Sequence, residues 1–170
     1  MQEPKPGDIL AYYPSDTMLA FKGIAVGEYL VEHEWPAYVH VGMYAGPNKQ
    51  ITTNVDRGID VYPIWGPPYA ILRPKWNYGS LASALTYAYD RVGGTAYGWA
   101  DVFLSGMATA AHARKFGWPM NLGRKLNPDC AVLIARMCKR GGLNLFPGIK
   151  YTWEVIPDDY RNAALVDIVR

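Results

Sequence analysis

Apolar residues alternate with other residues along several short stretches of the chain, which is the pattern of half-buried β-strands. In residues 37–46 (AYVHVGMYAG), Val39, Val41 and Met43 fall on one side and His40 falls on the other. The letters GPNK that follow are typical of a turn. The pattern therefore predicts an antiparallel sheet, whose other strands are expected at 7–13, 50–55, 58–64, 69–73 and 164–170.

Four other stretches repeat their apolar residues at helical spacing. The clearest signals are Ser80 as a cap before one helix, and Asn127 as a cap followed by Pro128 at the first position of another. Gly141 ends that second helix in the prediction. Strands followed by helices and a last strand indicate an α+β fold, and the helices are expected at 16–32, 79–94, 99–116 and 127–142.

Composition sets limits on the class of protein. A chain of 170 residues, of which 50% are hydrophobic, fits one domain over 1–170. The formal charge of +2 and the dispersed Lys and Arg do not indicate a nucleic-acid partner. No apolar run approaches the roughly 20 residues of a membrane span, and the first residues lack the pattern of a signal peptide. We therefore expect no transmembrane segment. The location stays open between the cytoplasm and, if a leader was removed, processing or export by another route.

Two cysteines stand in the predicted helix 127–142. Cys130 and Cys138 are eight residues apart, a rise of roughly 12 Å, which exceeds the reach of a disulfide, so free thiols are expected. Cys130 falls in the first turn, where the helix dipole favours a thiolate, the attacking form of cysteine. A cysteine can also be simply a small buried residue, and that alternative describes Cys138 well.

His40 is the first candidate for a base that would serve Cys130. It lies on the strand face opposite the apolar one, beside Gly42, which we expect to leave room for a ring or a substrate. The alternative is a packed structural histidine. His33 and His40 with nearby glutamates have no recognised metal-ligand spacing, and the chain has no CxxC pair, so no metal site is expected.

Five segments in order carry a resemblance to a known family. They are PGDILAYY (6–13), YVHVGMYAGPNKQIT (38–52), GGTAYGW (93–99), NPDCAVLIARMCKRGG (127–142) and IPDDYRNAALVDIV (156–169). This order resembles the circularly permuted branch of the NlpC/P60 papain-like cysteine hydrolases, which includes the YiiX-like and lecithin:retinol acyltransferase-like proteins. The resemblance implies a papain-like fold in which an antiparallel sheet packs against helices.

By position, the resemblance implies that Cys130 is the nucleophile and His40 the general base. The third polar residue of the family, commonly Glu or His, lies twelve after the histidine, and here that position is Thr52. Thr52 could orient the ring without supplying charge. Asn54, on the same strand face, is the alternative for this role and a candidate substrate contact. Tyr97 resembles a tyrosine near the family's cleft, although a core aromatic is an equally good interpretation.

The resulting prediction is a cysteine hydrolase that needs no cofactor and cleaves an amide, in a cell-wall peptide or an acylated amine, through an acyl-enzyme. One alternative is a lipid acyltransferase or esterase, because residues 99–126 combine aromatic and basic residues suited to an amphiphile. Another is a non-catalytic binding or assembly module, because Ala131 and Val132 replace the Ser and Glu of many relatives. The expected partners are a peptide or acyl-containing small substrate, with contact to lipid or cell wall.

Overall fold

The computed structural model describes residues 3–14, 35–54, 57–66, 69–94, 129–149 and 155–169. In these ranges the chain is an α+β structure built on a six-stranded antiparallel sheet with the strand order β4-β3-β2-β1-β5-β6. The described elements are β1 (Ile9–Tyr12), β2 (His40–Gly46), β3 (Lys49–Asn54), β4 (Gly58–Pro63), β5 (Tyr69–Pro74), α1 (Leu81–Tyr89), α2 (Cys130–Arg140) and β6 (Val166–Val169), with 3-10 helices at Trp76–Tyr78 and Pro157–Asn162.

The predicted turn between β2 and β3 is confirmed. Gly46 and Asn48 both have positive φ values, 140° and 55°. Glycine adopts such a backbone without strain, and asparagine tolerates it better than most residues. The Asn48 carbonyl also accepts a hydrogen bond from the Ile64 amide at 3.1 Å, which ties the turn to the end of β4. The turn therefore sets the pairing of β2 with β3.

The strand register divides the sheet into two faces. Tyr12 lies opposite His40 and Ala11 opposite Val41, and directly opposed residues of antiparallel strands share a face. The residues that pack with the helices define the helical face: Ile9, Ala11, Val41, Met43, Ile51 and Leu72. The residues on the other side define the aromatic face: Leu10, Tyr12, His40, Thr52 and Ile71, which lie near the ring of Trp65.

The two described helices pack on each other as well as on the sheet. Ser80 caps α1 as predicted, its side chain accepting from the Ser83 amide at 3.2 Å. The Ser80 amide in turn donates to the Gly141 carbonyl at 2.6 Å. A Cβ atom on Gly141 would lie 2.7 Å from the Ser80 carbonyl oxygen, so only glycine permits this approach. The start of α1 is thus held against the end of α2.

The predicted cap of α2 is wrong. Asp129, not Asn127, is the capping residue, and its side chain accepts from the Val132 amide at 2.9 Å. The helix consequently starts at Cys130 itself. Both Asx residues of the NPD sequence suit a cap. The Gly141 end is confirmed.

Other element bounds differ from the predictions by a few residues. Helix α1 ends at Tyr89 rather than continuing to residue 94, because turn residues follow it. The strands are shorter than predicted at several ends, and β2 begins at His40 rather than at residue 37. The predicted helices 16–32 and 99–116 lie outside the described residues.

A buried ion pair joins the start of β1 to β5. The Asp8 side chain is 3% exposed and that of Arg73 is 27% exposed; Nη2 lies 2.7 Å from Oδ2 and Nε lies 2.9 Å from Oδ1. Asp8 Oδ2 also accepts from the Lys5 amide at 2.8 Å. A bidentate pair of this kind is strong and directional. It anchors the chain where it enters the sheet.

Replacing Asp8 tests this anchor. Asp8→Asn should lower the free energy of unfolding by about 2 kcal/mol, somewhat less than for a fully buried pair because water reaches Arg73. The control is Asp167→Asn, which breaks the exposed Lys75–Asp167 pair and should cost under about 0.5 kcal/mol. Urea denaturation measures both values, and equal costs in the two variants would contradict an anchoring role for Asp8.

Candidate active site

His40 is the first residue of β2, and its ring is buried among aromatic side chains. The residue is 5% exposed. Its ring centroid lies 4.6 Å from that of Trp65 and 5.7 Å from that of Tyr12. Both neighbours present ring carbon atoms, which do not replace water as hydrogen-bond partners of the imidazole. The side chain therefore occupies an environment of low polarity.

Thr52 is the polar partner of the His40 ring. Its Oγ1 lies 2.9 Å from His40 Nε2 and donates its hydrogen to the Val41 carbonyl at 2.8 Å. A hydroxyl carries one hydrogen, so the bond with His40 must use an imidazole N–H as donor. We infer that neutral His40 carries its proton on Nε2, which leaves the lone pair on Nδ1.

Burial determines the charge state of His40. Desolvation lowers its pKa from 6.5 to about 3, because an imidazolium in an apolar environment loses its hydration. The ring is therefore neutral near pH 7. A neutral imidazole can accept a proton from a neighbouring acid, whereas a permanent imidazolium could not.

The space beside Gly42 has a different occupant from the one expected. A Cβ atom there would overlap the Gln50 amide, so Gln50 fills the position that we expected to accommodate a ring or a substrate. Gln50 Oε1 accepts from the Tyr12 hydroxyl at 3.1 Å, and its Nε2 donates to the Pro63 carbonyl at 3.3 Å. The glycine therefore lets Gln50 fix the Tyr12 ring that packs against His40.

Cys130 is buried, 6% exposed, at the first position of α2. In its turn of the helix, the Val132 amide bonds the Asp129 side chain and the Leu133 amide bonds the Asp129 carbonyl. The dipole of the helix favours a negative charge at this end. The carboxylate of Asp129 accepts from the Val132 amide at this end, so one negative charge already faces the positive end of the dipole.

Cys138 has a different environment. It is fully buried midway along α2, and burial raises the pKa of its thiol because the thiolate would lose its hydration. A thiol of this kind is unreactive near neutral pH. Both cysteines are free, as predicted.

Helix α2 and the His40 ring lie on opposite faces of the sheet. The helix packs on the helical face through the cluster that includes Cys130, Val41 and Met43, whereas the His40 ring lies on the aromatic face. Because His40 is the first residue of β2, Cys130 Sγ and the His40 ring could meet only around that end of the strand. The predicted pair therefore depends on what sets the start of α2 against the start of β2.

The remaining predicted site residues fall in different places. Asn54 is the last residue of β3 and half-buried, whereas Thr52 forms the hydrogen bond with His40 Nε2. Tyr97 lies outside the described residues. The sequence analysis missed Trp65, which follows β4 in the gap between the predicted strands 58–64 and 69–73. Its only signal was an aromatic residue within a Pro- and Gly-rich stretch.

Neither a scan against protein-family models nor searches of curated proteins and of solved structures found a match for this chain. In the part of the chain that the structure describes, no helix has the length and apolar character needed to cross a membrane. Over the same residues, no three side chains of His, Cys, Asp or Glu come together as a group that could hold a metal ion.

The burial of neutral His40 predicts a pH-dependent stability. The folded pKa of about 3 lies below the unfolded value of 6.5, so the unfolded chain binds the extra proton first as the pH falls. The stability that the buried neutral ring contributes to the fold is fully present above pH 6.5. Below pH 6.5 the free energy of unfolding decreases by about 1.4 kcal/mol per pH unit.

His40→Gln removes this titration. Between pH 6.5 and 4.5 the wild type should lose about 2 to 3 kcal/mol more unfolding free energy than the variant, because only the wild type has a buried histidine to protonate. Urea denaturation at several pH values gives both slopes. Parallel slopes would show that the ring is not held neutral by burial.

Proposed function

We propose that the protein is a papain-like cysteine hydrolase that cleaves an amide, in a cell-wall peptide or an acylated amine, with Cys130 as nucleophile and His40 as base. The observation that carries the proposal is the hydrogen-bond chain from His40 Nε2 through Thr52 to the Val41 carbonyl. This chain selects the tautomer in which Nδ1 can accept a proton. A base whose tautomer and ring angle are set by a neighbour is the common requirement of nucleophilic triads.

The reaction proceeds in two halves. His40 Nδ1 takes the proton of the Cys130 thiol, and Sγ attacks the acyl carbon to form a tetrahedral oxyanion, which the backbone amide of Cys130 stabilises. The intermediate collapses as the C–N bond breaks and the imidazolium gives its proton to the leaving amine. Water then loses a proton to His40 and attacks the thioester, which releases the carboxylic acid and restores the thiol.

Thr52 supports this reaction without a charge. Its hydroxyl can hold the His40 ring, but it cannot neutralise the imidazolium as a carboxylate would. The cation that forms during catalysis is therefore less stable than in a triad that contains Asp or Glu. Slow turnover at neutral pH is the expected consequence.

The second candidate function is a non-catalytic binding module of the same fold. The observation that favours it is the burial of His40, whose pKa of about 3 makes the imidazolium costly to form. The thiolate of Cys130 would offset part of that cost in an active site. In a binding module, the two residues would have no functional coupling.

Selective labelling of the two thiols decides between these candidates. Iodoacetamide near pH 7 should modify Cys130 at least tenfold faster than Cys138, because only Cys130 lies at a helix start and Cys138 is buried with a raised pKa. Peptide mass spectrometry measures each rate. The same measurement on His40→Gln should show slower labelling of Cys130.

Acyl adducts extend this test to the substrate. Incubation with peptide, acylated amine and lipid substrates in parallel should leave an acyl group on Cys130 of the wild type and none on Cys130→Ala, while Cys138→Ala retains the adduct. An adduct from lipids alone would move the function to acyl transfer or ester cleavage. No adduct, with His40-independent labelling, would favour the binding module.

Thr52→Val should lower the rate roughly tenfold to a hundredfold, equivalent to about 1.4 to 2.7 kcal/mol of barrier, because the ring loses its partner but no charge is removed. Thr52→Ser is the control, since it keeps the hydroxyl and should remain within about threefold of the wild type. Steady-state kinetics on the substrate found above supplies the rates. A loss in Asn54→Leu without a loss in Thr52→Val would transfer the role to Asn54.

A further inference from the structure

One short element contacts the starts of both α2 and β2. In the 3-10 helix Pro157–Asn162, the Tyr160 hydroxyl donates to the Ala131 carbonyl at 2.8 Å, in the first turn of α2. Asp158 Oδ1 accepts from the Ala37 amide at 2.6 Å and from the Tyr38 amide at 3.4 Å, just before β2. Six residues of chain therefore join the segment that carries Cys130 to the segment that leads into His40.

Both contacts are held in place by further interactions. Tyr160 is 1% exposed, and its ring packs edge-on against Phe146 with centroids 5.0 Å apart. Asp158 Oδ2 lies 3.3 Å from Arg161 Nη2, so its two oxygens have separate partners. Hydrogen bonds to a carboxylate are stronger than those between neutral groups. The Tyr160 contact is therefore supported by full burial, and the Asp158 contact by an ion pair with a half-exposed arginine.

We propose that Tyr160 and Asp158 are positioning residues that set Cys130 against His40 around the end of β2. This inference rests on the proposed function. Its physical basis is that α2 packs on the helical face while His40 lies on the aromatic face, so the sheet alone does not set their separation. Displacement of a reacting group by about 1 Å can lower a rate a hundredfold, and the two bonds act on the segments where such a displacement would arise.

The labelling rate of Cys130 tests the Tyr160 contact. Tyr160→Phe removes only the hydroxyl that binds the Ala131 carbonyl, so Cys130 moves relative to its base. We expect iodoacetamide labelling of Cys130 at pH 7 to fall roughly tenfold, with the midpoint of its pH profile moved upward, since the thiol then ionises without help from His40.

The matched control is Tyr62→Phe. Tyr62 is also buried and donates its hydroxyl to a backbone carbonyl, that of Gly58, at 3.0 Å. Its bond lies within β4, two strands away from β2 in the sheet, and the substitution keeps the ring that packs on Trp65 at a centroid distance of 6.1 Å. This variant should remain within twofold of the wild type at temperatures where all variants are folded.

Amide hydrogen exchange tests the positioning without any chemistry at Cys130. Tyr160→Phe should speed exchange of the Ala37 and Tyr38 amides at least fivefold, although both amides bond Asp158 and not the deleted hydroxyl, because the element that holds Asp158 loosens. Asp158→Asn should speed exchange in the first turn of α2 in the same way. Tyr62→Phe should leave both regions unchanged.

The two measurements separate the possible failures. If wild-type labelling of Cys130 does not depend on His40, the proposed function fails, and hydrogen exchange alone decides whether the element couples the two segments. If that dependence holds but Tyr160→Phe behaves like Tyr62→Phe in labelling or in exchange, the positioning role is overturned.

Discussion

The arrangement around His40 depends on the register of β1, β2 and β3. Side chains alternate between the faces of a strand, so a slip of one residue would move His40 from the aromatic face to the helical face. The tight turn at Gly46 and Asn48 sets the pairing of β2 with β3, and the Asp8–Arg73 pair holds β1 against β5. With the register set, Thr52 faces His40 and the bond between them needs no movement of the backbone.

The same register determines the electrostatics of the site. His40 shares its face with Tyr12 and the ring of Trp65, and the polar side chain bonded to its Nε2 is the uncharged hydroxyl of Thr52. A hydroxyl that already donates to a carbonyl can only accept from the ring, which defines the proton position without adding charge. Burial by the aromatic rings then keeps the imidazole neutral, and these two effects together make it a base of low strength.

The strands could be predicted from the sequence because alternation is a local property, and each strand of the described sheet was found with small changes of its ends. The bond between Thr52 and His40 could be anticipated only through the family resemblance, which implies a polar residue twelve after the histidine. The direction of the bond follows from the Val41 carbonyl, which accepts the hydroxyl hydrogen. The position of Trp65 beside His40 could not be anticipated, because it depends on the path of a Pro- and Gly-rich segment after β4. Asp158 and Tyr160 lie far along the chain from their partners, so no local pattern points to their contacts.

The error at the cap of α2 has a chemical consequence. If Asn127 were the cap, Cys130 would stand at the third helical position, whose amide is the one that a capping side chain binds. With Asp129 as the cap, that bond goes to Val132, and Cys130 becomes the first residue of the helix. The cap therefore does not use the Cys130 amide, which is the group assigned to the oxyanion. The Asp129 carboxylate accepts from the Val132 amide at the same helix start, so one negative charge already lies at the positive end of the α2 dipole. In the proposed reaction the thiol proton has to pass to the base, so the position of His40 relative to Cys130 becomes the decisive variable.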